Sequence, residues 1–430
     1  MSPAEDEGIA APGALSPLFG DPALRGVFAA LDHAGEETRI VGGAIRDALF
    51  GRTPGEIDLT TTLLPEAVMA RAKAADLRAI PTGIQHGTVT VLAGKKTFEV
   101  TTLREDIAAD GRHATVRFGR DFKVDALRRD FTMNALSLAP GGRLFDYTGG
   151  LADIAARKVR FIGEPARRIK EDYLRILRFF RFSADFGEGP LDVAGRSASI
   201  RQKDGLARLS RERIRAELLK LLRARGAVDV CAEICADGLL HPLIGLAPNP
   251  ARLRRAVTLG EGSPLDPILR LAALCVILPE DALRLRERLR LSNAEAGRLE
   301  VAARALIGLH GLDEPPGSDE LRRLLFRHGR QAAADAILLA QADALPGHDG
   351  EWALARKFLQ ETEEPRLPFS GADMIARGIT EGRAIGEALR ELQARWIKAG
   401  FPIDKASLAQ LLNDMPRRAK EGRQSGAPLV

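Results

Sequence analysis

The chain has 430 residues, enough for two to four domains at roughly 150 residues each, and 45% of them are apolar, which supplies real cores and excludes a disordered chain. The net charge is only +5, and no run approaches the ~20 apolar residues that a membrane span needs, so no membrane partner is expected. Three cysteines, Cys231, Cys235 and Cys275, form no disulfide framework and fit a reducing, cytoplasmic setting.

Residues 1–22 open with an acidic, Pro/Ala-rich stretch and read as a frayed, disordered leader. Arg39-Ile-Val41 reads as a short strand that ends in Gly42-Gly43, with a helix predicted over 44–50. Glu56-Ile-Asp-Leu-Thr-Thr61 alternates polar and apolar residues as a strand does, and a helix is predicted over 65–76. Residues 88–92 and 97–102 alternate likewise and are joined as a hairpin through Ala93-Gly-Lys-Lys96. A second hairpin is predicted from 134–138 and 142–146. From Leu151 onward the strands stop. Amphipathic helical segments follow, among them 168–184, 210–225, 227–237, 268–277, 280–290, 293–307, 319–327, 330–343, 350–360, 371–399 (interrupted by Gly378 and Gly382) and 405–413. The fold class is α+β: a mixed-sheet head over 23–150, a helical neck over 151–226, and an all-α body and tail over 227–430.

Charge is unevenly placed along this plan. From Arg157 to Arg181 nine basic residues face three acids, and from Arg201 to Arg225 the count is again nine against three. Either window alone carries more net charge than the whole chain. Solvated helix faces account for such windows; so does an electrostatic footprint for polyphosphate or RNA.

Three features of the head carry chemistry. In Val41-Gly-Gly-Ala-Ile-Arg-Asp47 a strand runs into two glycines and a helix begins, which lets backbone N–H groups approach an anion, with Arg46 adding a fixed positive charge one turn in. In Glu56-Ile57-Asp58, strand geometry puts both carboxylates on one face, where a hard cation such as Mg²⁺ would relieve their repulsion. Glu99 could add a third carboxylate to the same site. An ordinary exposed strand face also accommodates all three acids.

In order along the chain, these residues resemble the nucleotidyltransferase superfamily that includes DNA polymerase beta. Asp110-Gly-Arg-His-Ala114, Arg128-Arg-Asp-Phe-Thr-Met-Asn-Ala-Leu136, Asp146-Tyr-Thr-Gly-Gly150, Glu171-Asp-Tyr-Leu-Arg175 with its continuation to Phe182, and Leu209-Ser-Arg-Glu-Arg213 closely match the branch containing class II CCA-adding tRNA nucleotidyltransferases and bacterial poly(A) polymerases. The match runs over about residues 38–225, with weaker likeness near Leu367–Asp373. The resemblance implies a nucleotidyltransferase-type head. It implies that Gly42, Gly43 and Arg46 hold the triphosphate, that Glu56 and Asp58, with Glu99, form the catalytic acids, and that Glu56 and Asp58 bind two Mg²⁺ which activate the RNA 3′-hydroxyl and stabilise the transferring phosphoryl group. Arg129 would contact the nucleotide. Asp172, Arg175, Arg178 and Arg181 recur every third residue, as a stripe on one helix. In the family the matching Asp and Arg read the base edge: a carboxylate accepts from the exocyclic amine that C and A share, and a guanidinium donates to a ring nitrogen or carbonyl. Salt bridging from Asp172 to Arg175 is the plain structural alternative. The family usually places Asp where this chain has Glu56.

The function implied is CCA addition to the tRNA 3′ end from CTP and ATP, with release of pyrophosphate. Poly(A) polymerase activity, partial addition of A or CC alone, and a catalytically weak RNA-binding relative are the alternatives that the same motifs leave open.

Overall fold

Alternation in the sequence becomes alternation in space in the head. Along Thr88–Ala93 every second residue is buried, and along Lys96–Thr102 Phe98, Val100 and Thr102 point inward while Glu99 faces out. The structure is a computed structural model that describes residues 8–109, 114–260 and 264–415. The leader's first seven residues, Asp110–His113 of the Asp110–Ala114 motif, residues 261–263 and the residues from Pro416 on lie outside the described residues.

Ten strands are described: β1 (Ile9–Ala10), β2 (Thr38–Val41), β3 (Asp58–Thr61), β4 (Arg78–Gly83), β5 (Thr88–Ala93), β6 (Lys96–Thr102), β7 (Arg104–Ala109), β8 (Ala114–Phe118), β9 (Ser137–Leu138) and β10 (Arg143–Phe145). Eight form one sheet in the order β1-β10-β9-β2-β3-β6-β5-β4, and β7 and β8 make a separate hairpin. All neighbours in the sheet run antiparallel except β3 and β6, which are parallel and pair Asp58 with Glu99. Helices α1 (Pro22–Leu31) and α3 (Pro65–Ala74) pack on one another and on β5, while α2 (Gly43–Leu49) follows β2 directly. Then come α4 (Phe122–Leu127), α5 (Gly150–Ala155), the neck helices α6 (Pro165–Glu171), α7 (Leu174–Phe186), α8 (Val193–Arg201) and α9 (Arg211–Arg223), and α10 (Ala227–Ala236).

The chain divides into two compact units, one running to Pro250 with Arg288–Arg290, the other comprising Ala251–Glu287 and the residues from Leu291 on. The second unit is all-helical in its described residues. Its longest element, Ser318–Asp343, is broken at Gly329 (φ 77°), in the gap between the segments predicted over 319–327 and 330–343. Arg298 joins Asp266 (2.6 Å) and Asp335 (2.9 Å) there, and Trp396, Phe326 and Phe401 form an aromatic cluster.

The α+β class and the change to helices near Leu151 agree with expectation, and four local readings change. Residues 8–22 do not fray: Ile9 and Ala10 pair with Leu144 and Arg143, Leu15 and Leu18 are buried, and Asp21 caps α1 while holding Lys96 at 2.8 Å. The strand expected from Glu56 starts only at Asp58. Its partner β2 ends at Val41, opposite Asp58, because Gly42 turns away with φ 68° and leaves residues 56 and 57 without a partner on that side. The strand expected over 134–138 is shortened by a 3₁₀ turn at Thr132–Asn134. The single helix expected over 168–184 is two, because Asp172 is extended (φ −155°, ψ 109°) and the ring of Tyr173 packs against Gly205.

That last contact is tight: a Cβ on Gly205 would lie 1.9 Å from the Tyr173 ring. Gly205→Ala is therefore expected to lower stability by about 1–3 kcal/mol, read as a fall in the denaturant midpoint at unchanged m-value, and an unchanged midpoint would show that the ring moves aside at no cost.

Candidate functional site

The site starts from the parallel pairing of β3 and β6. Asp58 and Glu99 are register partners, so they share the solvent face of the sheet while Leu59 and Val100 face the core. Glu56 is exposed in the extended lead-in to β3. The Asp58 side chain reaches solvent, yet surrounding protein raises its pKa by desolvation, the negative charge of Glu99 raises it further, Arg129 opposes, and Glu56 adds a smaller push upward. A cation would relieve this strain, and oxygen-only donors suit a hard divalent ion. Among the described residues no group of three or more His, Cys, Asp or Glu is gathered to hold a metal by itself.

Beside the acids stands the glycine turn. The N–H of Gly42 donates to the carbonyl of Leu136 at 3.2 Å, and a Cβ on Gly42 would lie 3.2 Å from Nη1 of Arg129. Arg129 is thus laid over the turn, close enough to Asp58 to influence its ionisation. Asp125, buried, grips Arg129 at 3.0 Å and Arg128 at 2.5 Å; although burial acts to raise its pKa, these two cations hold it below the usual carboxylate range. A Cβ on Gly43 would lie 3.7 Å from Nη2 of Arg46. Arg46 binds Asp47 (2.7 Å) and Asn134 (2.7 Å) and stacks over Phe186 at 4.3 Å. Its guanidinium lies in a packed joint behind the turn, where burial lowers its pKa.

The expected stripe on α7 is dispersed among different carboxylates. Arg178 binds Asp130 at 2.6 Å, Arg181 binds the buried Glu217 of α9 at 2.6 Å, and Arg175 binds Glu171 at 2.6 Å. The Asp172–Arg175 bridge considered from spacing does not form. Asp172 lies ahead of α7, where Oδ1 accepts the N–H of Leu174 (3.1 Å) and Oδ2 accepts from Arg213 (2.6 Å). Arg175 also donates to the carbonyl of Arg128 at 3.5 Å, which joins the neck to the residue beside Arg129. Sequence reasoning missed Asp125, Asp130, Asn134, Glu171, Arg213 and Glu217 as anchors. Most lay within the quoted motifs, but only their pairings across elements give them a role.

Asp130 is the joint between head and neck. Its Oδ1 accepts from the Phe131 amide (2.9 Å) and the Asn134 side chain (3.0 Å), while Oδ2 takes Arg178. A run of rings, Phe161–Phe131–Phe182–Phe186–Phe50, seals the same joint with centroids 4.9 to 5.6 Å apart. Elsewhere in the neck a cavity of about 550 Å³ is lined by Arg157, Glu188, Asp192 and Arg225, and none of the residues above lines it.

Similarity to known proteins follows this geometry. A family described as "Poly A polymerase head domain" matches residues 38–160, and one described as "Probable RNA and SrmB- binding site of polymerase A" matches 196–250. The chain is 36% identical to mouse mitochondrial CCA tRNA nucleotidyltransferase 1 over 90% of its own length and 88% of the relative's. It is 29% identical to the Limosilactobacillus fermentum CCA-adding enzyme over 91% and 96%. Among solved structures, a Bacillus stearothermophilus CCA-adding enzyme in complex with CTP aligns with TM-score 0.69 and 26% identity, covering 94% of this chain and 98% of that one.

Because burial alone would raise the Asp130 pKa, it is Arg178, Asn134 and the Phe131 amide that hold this carboxyl below the usual range. A depressed folded pKa contributes stability that is present above the ordinary value of about 3.9 and is lost as pH falls through the folded value. Asp130→Asn is expected to cost roughly 3 kcal/mol at pH 7 and to remove part of the stability loss below about pH 4. Urea titrations of both proteins at pH 7 and pH 3 check this, and parallel pH profiles would exclude the clasp.

Proposed function

The chain belongs to the CCA tRNA nucleotidyltransferase family, and from that premise we propose that it completes the tRNA 3′ end, adding CMP twice and AMP once from CTP and ATP and releasing pyrophosphate. The family's chemistry uses a divalent metal; in this reading it is Mg²⁺, which Glu56 and Asp58 would hold, with Glu99 beside Asp58 as a further acid. When bound, the ion supplies Lewis acidity at the transferring phosphoryl group and lowers the pKa of the attacking hydroxyl. The protein's own part is positioning. Gly42 and Gly43 let the backbone approach the triphosphate, and Arg129, preset by Asp125, neutralises it. Arg46 fixes the turn from behind through Asn134. Asp172 accepts the amine of cytosine or adenine, Arg175 donates to the adjacent ring nitrogen, and Arg178 and Arg181 hold α7 in place through Asp130 and Glu217.

One observation carries this reading: the hydrogen bond from Arg175 to the carbonyl of Arg128. It links the residue assigned to the base with the neighbour of the residue assigned to the phosphates, so one nucleotide can engage both. The basic window from Arg201 to Arg225, apart from Arg213, supplies the tRNA-binding face, and the reading assigns the enzyme to the cytoplasm. Among the described residues no helix is long and apolar enough to cross a membrane.

Labelled CTP and ATP offered with transcripts ending before, within and just short of CCA test the function. Two C additions, one A and then arrest are expected, whereas open-ended A tailing would make the enzyme a poly(A) polymerase. Asp58→Ala is expected to lower incorporation by at least on the order of a hundredfold with tRNA affinity unchanged, and retained turnover would remove Asp58 from the reaction.

A further inference from the structure

Both oxygens of Asp172 are engaged, and by different elements. Oδ1 accepts the N–H of Leu174 at the start of α7, and Oδ2 accepts Nη2 of Arg213, in the first turn of α9, at 2.6 Å. The extended backbone at Asp172 belongs to no helix, so helical geometry does not aim this side chain. Its direction comes from these two bonds. The one to Arg213 is charge-assisted and short, which makes it the stronger of the pair. The backbone N–H of Arg213 donates to the Ser210 hydroxyl at 3.4 Å, which caps α9 and fixes the point from which the Arg213 side chain departs. Charge counting groups Arg213 with Arg211 and Arg215 in an RNA footprint, but its ion pair with Asp172 largely cancels its charge toward phosphate.

We propose that Arg213 is a positioning residue for nucleotide selection: it locks the Asp172 carboxylate so that the lone pairs left over face the exocyclic amine of cytosine or adenine. This rests on the reading of Asp172 as the base acceptor. A carboxylate has about four lone-pair sites, and two are used here. Cytosine offers an amine beside a ring acceptor. Uracil offers the reverse, a carbonyl beside a ring N–H. With Asp172 locked, uracil sets oxygen against oxygen and is rejected. A carboxylate free to swing reaches the uracil ring N–H instead, and rejection weakens. Selection against UTP thus depends on a residue that acts only through Asp172.

The experiment compares wild type, Arg213→Gln and Arg213→Lys on a transcript lacking CCA, measuring kcat and KM for CTP and for UTP, together with tRNA affinity and thermal stability. Arg213→Gln is expected to lower the preference for CTP over UTP by about ten- to a hundredfold, chiefly through a higher KM for CTP and new UTP use, with tRNA affinity unchanged. Arg213→Lys keeps the charge without the planar fork, so it is expected to lose several-fold. In an Asp172→Asn background, Arg213→Gln is expected to add no further loss of preference. Unchanged preference in Arg213→Gln overturns the proposal, as does weakened tRNA binding with preference intact. If Arg213→Gln does not fold, unchanged preference in Arg213→Lys overturns it as well. Wild-type enzyme that uses UTP as readily as CTP would bring down the base-reading assignment itself, and this proposal with it.

Discussion

The arrangement of this site depends on one buried carboxylate. Asp130 faces the head through Asn134 and the neck through Arg178, and Asn134 passes the connection on to Arg46 behind the glycine turn. Any rotation of α7 against the head must break a charge-assisted hydrogen bond in a largely desolvated place, where an unpaired charge is costly. The phenylalanine run around it adds bulk that resists shear, and the polar chain sets the register. Apolar packing alone would tolerate several angular settings of α7.

The same device recurs through the first unit. Asp125 holds Arg128 and Arg129, Glu171 holds Arg168 and Arg175, Asp172 holds Arg213, and Glu217 holds Arg181. Each guanidinium is fixed before any nucleotide arrives, so little ordering is left for binding to accomplish. This bears on how charge counts are read. The basic excess between Arg157 and Arg181 suggests a free positive surface, yet many of those side chains are engaged with acids, Arg160, Arg168 and Arg175 with near neighbours and Arg157, Arg178 and Arg181 with acids far along the chain. Their chemistry is presentation of donors in set directions more than bulk attraction of phosphate.

What the sequence by itself determined is the local periodicity and the motif order. The alternation in 88–92 and 97–102, the glycine pair after a strand, the Gly329 break and the helices beyond Leu151 follow from rules spanning a few residues, and the structure agrees with them. The resemblance located the acids and arginines without saying what holds them. Tertiary structure alone decided that Glu99 lies opposite Asp58, because parallel pairing joins strands about forty residues apart. It also decided that Asp172 leaves the helix and turns to Arg213. Spacing along a helix predicts i, i+3 and i, i+4 pairs, but a side chain at a break between helices takes whichever partner the packing of a distant element brings within reach.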